Sequence, residues 1–164
     1  MRGVYVATHA LGEIKAMEAI EEWCWEGNVV AVIAEHLRST GWEVVRVPDT
    51  ATRERGPDIE ASRSGITLLV EVKGYPSVGY RNPALAGLKK KTNPATQARH
   101  WYAQALLQAI RYQAKYPGAL VAMGFPMAAT YASLFEQTQG AMGKLGLGFF
   151  WVMPDGMVEG VGLR

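Results

Sequence analysis

Hydrophobic and polar positions along the first half of the chain predict one helix followed by three strands. Residues 26–39 place apolar side chains three and four positions apart, as an amphipathic helix does, and Gly41 follows as a C-terminal cap. Runs with strand character come next, over residues 42–47, 57–62 and 66–74. The short Arg63–Gly65 turn makes the last two antiparallel neighbours.

The second half of the chain alternates helices with apolar strands. Asn93 and Pro94 begin a helix that extends to about Tyr116, because asparagine caps helices and proline fits their first turn. A buried strand, a further helix and a closing strand with an Asp155–Gly156 hairpin turn follow, over residues 119–125, 128–146 and 147–161. This order predicts the α/β class, as a three-layer α/β/α sandwich that has a mixed central sheet and helices on both faces.

Two segments fall outside this regular pattern. Residues 10–22 are predicted to form an acidic helix, so residues 1–22 are interpreted as a helical appendage and residues 23–164 as the main domain. Residues 75–92 show no periodicity, and loops of that length in a compact domain are usually functional or disordered. Near their end are three adjacent lysines: Lys89, Lys90 and Lys91. Lysines that precede a helix N-terminus form a plausible binding site for a phosphate.

The strand over residues 66–74 carries charge where a buried strand is expected. Its even-numbered residues from Ile66 to Val72 are all apolar, whereas Glu71 and Lys73 share the opposite face. Pairing about the turn places Asp58 opposite residue 70, give or take one, so Asp58 and Glu71 come close across the ladder. A solvent-exposed Glu71–Lys73 pair on an edge strand is the alternative, but it does not account for Asp58.

Paired carboxylates in a partly buried place suggest a metal site. Their mutual repulsion grows with burial, and a divalent cation relieves it. Mg²⁺ prefers carboxylate and phosphate oxygens together with water. We therefore expect Asp58 and Glu71 to bind metal, with the Val72 carbonyl as an available third ligand. Lys73 could stabilise charge on a reacting phosphate or help to deprotonate a water.

Two helical residues extend this candidate site. Glu26 lies on the apolar stripe of its helix, whereas Glu35 lies on the opposite, solvent-facing side. A favourable interaction with the helix dipole is the simpler explanation for a carboxylate at a helix start. Gln97 shares one helix face with Trp101, Gln104 and Gln108. It could orient a water or a phosphate, or be an ordinary surface glutamine.

Composition narrows the class of protein. The chain has 164 residues, 49% of them hydrophobic and 20% charged, which predicts one well-packed domain. A single cysteine, Cys24, excludes an internal disulfide and fits a reducing cytoplasm. We find neither a signal peptide nor an apolar run of about 18 residues, so we expect a cytoplasmic protein without a membrane partner. The three histidines are too scattered for a zinc site: His9, His36 and His100.

Charge is distributed unevenly, although the net charge is only +2. Residues 1–71 contain 12 acidic and 7 basic side chains, whereas residues 72–135 contain 8 basic and no acidic ones. Such asymmetry suggests a nucleic-acid partner, and a solvated surface that balances the acidic half is the alternative. The predicted contacts are Lys89, Lys90, Lys91, Arg99, Arg81 and Trp101, with His100 and Tyr102 as weaker candidates.

The segment GPDIEA…LLVEVKGY resembles the PD-(D/E)xK nuclease superfamily, which includes restriction endonucleases and Holliday-junction resolvases. Pro57 and Asp58 match the PD, and Glu71–Lys73 match the ExK thirteen residues later. The flanking helices with Glu26 and Gln97 follow the core order of that superfamily, over about residues 23–125. Glu26 departs from the resolvase pattern, because it lies about one helical turn further upstream of Leu37 and Gly41 than the glutamate of that pattern does. More narrowly, the chain looks like prokaryotic proteins of restriction-endonuclease-like type.

The resemblance implies a nuclease that uses Mg²⁺, with Mn²⁺ as a substitute, to hydrolyse phosphodiesters. The substrate would be DNA rather than RNA, in repair, recombination or defence. Asp58 and Glu71 would bind the metal, Glu26 a second metal or its water, Lys73 would act on the water or the transition state, and Gln97 would assist. A non-catalytic nucleic-acid-binding module and a subunit of a larger complex are the alternatives, and a homodimer is left open.

The Gly-x-Gly pair at Gly146 and Gly148 does not indicate a nucleotide site. It lacks a third glycine and leads into a strand rather than a helix.

Overall fold

Three helices and six strands make up the regular structure of the described residues. The computed structural model describes residues 23–48, 56–77 and 91–163. The helices are α1 (Glu26–Ser39), α2 (Pro94–Lys115) and α3 (Ala129–Lys144). The strands are β1 (Glu43–Arg46), β2 (Ile59–Arg63), β3 (Ile66–Val72), β4 (Leu120–Pro126), β5 (Leu147–Val152) and β6 (Val158–Val161).

All six strands form one mixed sheet in chain order. Strands β1, β2 and β3 are antiparallel to one another, β3, β4 and β5 are parallel, and β6 is antiparallel to β5. Helix α1 packs on one face, and α2 and α3 pack on the other. The predicted three-layer α/β/α sandwich is thus confirmed. None of the described helices is both long and apolar enough to span a membrane.

The alternation along β3 divides the core between the two faces of the sheet. Leu68, Val70 and Val72 pack towards α1, where they meet Val29 and Ile33. Odd-numbered positions of β3 point towards α2. That helix presents a stripe of fully buried alanines to the sheet: Ala98, Ala105 and Ala109. Small side chains allow α2 to lie close to the strands, and so close to the odd face of β3.

Both predicted helix boundaries follow from local chemistry. At the end of α1, Gly41 adopts φ 86°, the Gly41 N–H donates to the Arg38 carbonyl and the Trp42 N–H to the Leu37 carbonyl. This pair of bonds is the Schellman motif. At the start of α2, the Asn93 side chain accepts a hydrogen bond from the Ala95 N–H at 2.8 Å, and Pro94 occupies the first turn.

Several sequence expectations need correction. Strand β2 begins at Ile59 rather than at Pro57, which has no N–H to pair, and β3 ends at Val72 rather than at Gly74. The predicted Asp155–Gly156 hairpin turn is confirmed, because it joins the antiparallel strands β5 and β6, and Gly156 adopts φ 83° there. The prediction that Tyr102 contacts nucleic acid is wrong, because its side chain is buried in the core. The helix predicted over residues 10–22, together with Arg81, Lys89 and Lys90, lies outside the described residues.

Candidate active site

A two-residue turn brings the two central carboxylates together. Ser64 and Gly65 both adopt positive φ angles, 52° and 79°, as the tight turns favoured in β-hairpins require. The resulting register pairs Ile59 with Val70. Asp58, the residue before Ile59, therefore lies beside Glu71, as the turn predicted.

Asp58 continues the hairpin beyond the point where β2 begins. Its Oδ2 accepts a hydrogen bond of 2.7 Å from the Val72 N–H. A carboxylate thus takes the place of a backbone carbonyl as the partner of this amide. This hydrogen bond holds the Asp58 side chain against the end of β3, beside Glu71 and Lys73.

Lys73 lies between the two carboxylates. Its Nζ donates to Glu71 Oε1 at 2.8 Å and lies 4.0 Å from Asp58 Oδ2. The same ammonium donates to the Val72 carbonyl at 3.0 Å. The backbone N–H of Lys73 donates to the Gly124 carbonyl of β4 at 3.0 Å, which holds the end of β3 in place. Two carboxylates, one carbonyl and one ammonium therefore form a single polar cluster.

Tyr112 of α2 is a site residue that the sequence interpretation missed. Its hydroxyl donates to Glu71 Oε2 at 3.3 Å, while Lys73 occupies Oε1 of the same carboxylate. The helix face that includes Gln104 and Gln108 continues by four residues to Tyr112, so extending that face by one turn would have found it. Glu71 itself is only 8% exposed, so both contacts lie away from bulk water.

Glu26 joins the cluster from the first turn of α1. The Gly74 N–H donates to its carboxylate, and the charges of Lys73 and Asp58 both act on it. Gly74 is packed so tightly that an added Cβ would lie 2.5 Å from the Glu26 backbone nitrogen. Glu35 is solvent-exposed, as expected. Both the dipole explanation and a site role are compatible with this position of Glu26.

Burial makes the anionic forms of these carboxylates costly. It raises the pKa of Asp58, Glu71 and Glu26, and the nearby Lys73 ammonium lowers each of them only in part. For Lys73 the balance is reversed. Burial lowers its pKa, but Glu71, Asp58 and Glu26 together outweigh that effect and raise it. Three buried carboxyl groups thus share a single ammonium. Additional positive charge at this place would stabilise their anionic forms.

The oxygen donors of the cluster fit a hard divalent cation. Asp58, Glu71 and the Val72 carbonyl are ligand types that Mg²⁺ accepts, and such sites commonly take one or two carboxylates and complete their coordination with water and phosphate. Within residues 23–48, 56–77 and 91–163, no group of three or more histidine, cysteine, aspartate or glutamate side chains is arranged as a metal site. A cation here would therefore depend on substrate oxygens and water in addition to the protein.

An open cavity of about 620 Å³ gives access to the cluster. Its walls include Asp58, Glu71 and Lys73 from the sheet and a polar stretch of α2: Gln104, Gln108, Arg111 and Tyr112. Gln97, seven residues before Gln104, is not among the described residues that line this cavity, and its role stays a prediction. Near the start of α2, Lys91, Arg99 and His100 are exposed and Trp101 is half-buried.

Comparisons with known proteins find similarity at the level of structure. The fdxN element excision controlling factor protein from Anabaena variabilis aligns with a TM-score of 0.51 and 16% identity, covering 80% of this chain and 95% of that one. An XisH family protein from Nostoc punctiforme PCC 73102 aligns with a TM-score of 0.49, 14% identity and the same coverage. No family model matches, and no curated protein sequence matches. At these identities, the first of the two alignments shows a shared fold.

Proposed function

We propose that this protein hydrolyses phosphodiester bonds in nucleic acid with the help of a divalent cation. The observation that supports this most directly is the convergence of Asp58, Glu71 and Lys73 in one accessible cavity. Lys73 Nζ lies 2.8 Å from Glu71 and 4.0 Å from Asp58. A structural ion pair needs only one carboxylate, whereas metal-dependent phosphoryl chemistry uses two carboxylates and a nearby cation.

Each residue of the cluster has a defined part in this proposal. Asp58 and Glu71 would hold Mg²⁺, or Mn²⁺ in its place, and Glu26 would hold a second ion or a bound water. When bound, the metal would supply positive charge at the phosphate and lower the pKa of a water. Hydrolysis would form one P–O bond to a water oxygen and break the opposite P–O bond, and the departing sugar oxygen would take up the proton that the water loses. Lys73, held as an ammonium by its contacts, would stabilise the negative charge that develops on the phosphate oxygens.

DNA is the proposed substrate class, with cleavage inside the strand. The segment from residue 72 to residue 135 has eight lysine or arginine side chains and no acidic one, so the part of the chain that directly follows the candidate site carries net positive charge. Arg111 contributes a guanidinium to the cavity itself. Lys91 and Arg99 are exposed near the start of α2, where the helix dipole also favours a phosphate.

The test is cleavage of defined substrates by purified protein. Supercoiled, branched and single-stranded DNA, and RNA, are incubated with Mg²⁺, Mn²⁺ or EDTA. We expect cleavage that requires a divalent cation and falls by at least about 100-fold in Lys73→Ala. Lys144→Ala, at the exposed end of α3, is the matched control and should retain full activity. Metal-independent products, or equal rates for wild type and Lys73→Ala, would reject the proposal.

A non-catalytic nucleic-acid-binding module is the second candidate. The observation that favours it is that no three histidine, cysteine, aspartate or glutamate side chains in the described part of the chain are arranged to hold one metal ion. Such a module would bind DNA with strong salt dependence and would not cut it. Salt-dependent binding without cleavage of any substrate would therefore select this candidate over the nuclease. Weakened binding in a Lys89→Ala, Lys90→Ala, Lys91→Ala triple variant would support the predicted lysine contact.

A further inference from the structure

A second, larger cavity adjoins the candidate active site. It has a volume of about 870 Å³, and four of its described lining residues also line the first cavity: Gly56, Gln108, Arg111 and Tyr112. Its floor is formed by Thr67 and Leu69, on the same face of β3 as Glu71. The far wall is the C-terminal turn of α2. The two cavities are therefore neighbouring parts of one cleft.

Basic side chains surround the second cavity. Among its described lining residues, Arg46, Arg111 and Lys115 are cationic and Glu60 is the acidic one. The Arg46 guanidinium lies against Gly56, because a Cβ built there would meet Nη1 at 2.9 Å. Gly56 lines both cavities, so this guanidinium lies close to the boundary between them. A strand whose phosphate reaches Lys73 would find the next positive charges here.

The interior of the second cavity suits a nucleobase. Tyr116 immediately follows the last residue of α2 and lies four residues, about 6 Å along the axis, beyond Tyr112. It is 40% exposed, and the Lys115 ammonium lies 5.0 Å from the centre of its ring. Leu69, Pro117 and Ala119 add apolar surface. Aromatic and apolar walls with a cationic rim are the features that bind a single base and its phosphate. The volume falls within the roughly 300–1,000 Å³ of pockets for small organic ligands.

We propose that this second cavity binds an unpaired nucleotide next to the scissile phosphate, and that the protein therefore prefers nucleic acid with a single-stranded segment at the cleavage position. This inference rests on the proposed function and specifies its substrate. In a continuous duplex the bases are stacked and paired, so filling a concave pocket with one of them requires its extrusion. An unpaired nucleotide enters without that cost, because its base is already free to stack on Tyr116.

Binding measured in EDTA tests the cavity separately from catalysis. Two fluorescein-labelled DNAs of equal length are compared by anisotropy, a continuous duplex and a duplex interrupted by a short single-stranded segment. We expect wild type to bind the interrupted DNA at least about five-fold more tightly. Lys115→Ala and Tyr116→Ala should remove that preference, while Lys144→Ala, outside the described lining of both cavities, should keep it.

Each outcome decides the inference. Equal affinity for the two DNAs, or a preference that survives in both Lys115→Ala and Tyr116→Ala, would overturn it. Binding to neither DNA would overturn it together with the nucleic-acid partner. A preference that depends on Lys115 and Tyr116 would uphold the cavity even if no substrate is cut, and the proposed hydrolysis alone would then fail. Lys115→Glu adds a second readout, because charge reversal at this exposed position should weaken binding further than Lys115→Ala does.

Discussion

The hydroxyl of Tyr112 donates to Glu71 Oε2 at 3.3 Å, while the Lys73 ammonium donates to Oε1 of the same carboxylate at 2.8 Å. Both oxygens of Glu71 are thus oriented by neighbouring side chains. Since Tyr112 is buried, water cannot readily replace its hydroxyl. The orientation of Glu71 therefore depends on α2, which packs on that face of the sheet, as well as on its own strand.

Tyr112→Phe removes this hydrogen bond without changing the packing of the ring. We expect about a ten-fold fall in cleavage rate, because a hydrogen bond to a charged group contributes roughly 1.5–3 kcal/mol. A Mg²⁺ titration should show a higher half-saturating concentration, which a purely structural tyrosine would not produce. Tyr102→Phe is the control, because its hydroxyl contacts Thr138 in the core. Identical Mg²⁺ titrations for both variants would contradict the assignment.

Lys73→Met should make the fold dependent on divalent cations. Without the ammonium, Asp58 and Glu71 face each other with no compensating charge, and we expect a loss of roughly 1–3 kcal/mol in the free energy of unfolding. Because Mg²⁺ supplies the missing charge, it should raise the melting temperature of Lys73→Met more than that of wild type. Thermal melts with and without Mg²⁺ measure this. Lys144→Met, at an exposed position, serves as the control. An equal Mg²⁺ shift in all three proteins would count against the metal site.

Asp58→Asn should change how the stability of the fold depends on pH, because it removes a buried charge. Burial raises the pKa of Asp58 in the folded chain above the ordinary value of about 3.9, so the folded state binds this proton more tightly than the unfolded state. Stability from this group is therefore present at low pH and is lost as the pH rises through the raised pKa. Asparagine carries no charge and still offers an oxygen to the Val72 N–H.

We expect Asp58→Asn to melt above wild type at pH 7 without divalent cations, and the gap to close as the pH falls towards 4. Melting curves across that range provide the measurement. Asp155→Asn is matched to it, because Asp155 Oδ1 also accepts a backbone N–H, from Met157 at 3.0 Å, but in an exposed turn. A gap of constant size for Asp58→Asn would show that burial of its charge is not the cause.

Gly74→Ala should destabilise the protein through backbone crowding. An added Cβ would lie 2.5 Å from the Glu26 nitrogen and 2.7 Å from the Cys24 carbonyl oxygen, neither of which can rotate away. We expect a loss of about 1–3 kcal/mol in urea unfolding. Gly140→Ala on α3 is the control, because no described atom lies within 4 Å of its added Cβ. That change should stabilise the helix by roughly 0.5–1 kcal/mol. Similar effects from both substitutions would refute the crowding argument.

Local rules were sufficient to predict the association of Asp58 with Glu71. A two-residue turn fixes the register of a hairpin, and the alternation of side chains along a strand then determines which residues share a face. Both facts are encoded within about fifteen residues of sequence. The same reasoning placed Glu26 on the inward stripe of α1 and Glu35 on its outer face, because helix periodicity is equally local.

The contribution of α2 could not be predicted in the same way. A helix of 22 residues is about 33 Å long, so only part of one face can border a given pair of carboxylates. The sequence shows that Gln97 and Gln108 share a face, but the position of α2 along the sheet determines which of them reaches β3. That position depends on packing of the alanine stripe against strands distant in the chain. Gln108 and Tyr112 line the cavity for this reason.

The Ser64–Gly65 turn has a consequence for how this chain can change. Residues inserted at the tip would extend the hairpin outward, so the pairing of Ile59 with Val70 would persist. A residue inserted within β3 would instead turn Glu71 towards α1. Because Gly65 also lines the second cavity, new sequence at the tip would change the shape and chemistry of that cavity's wall. The hairpin thus offers evolution, or an engineer, a position at which the wall of the second cavity can vary while the carboxylates stay in place.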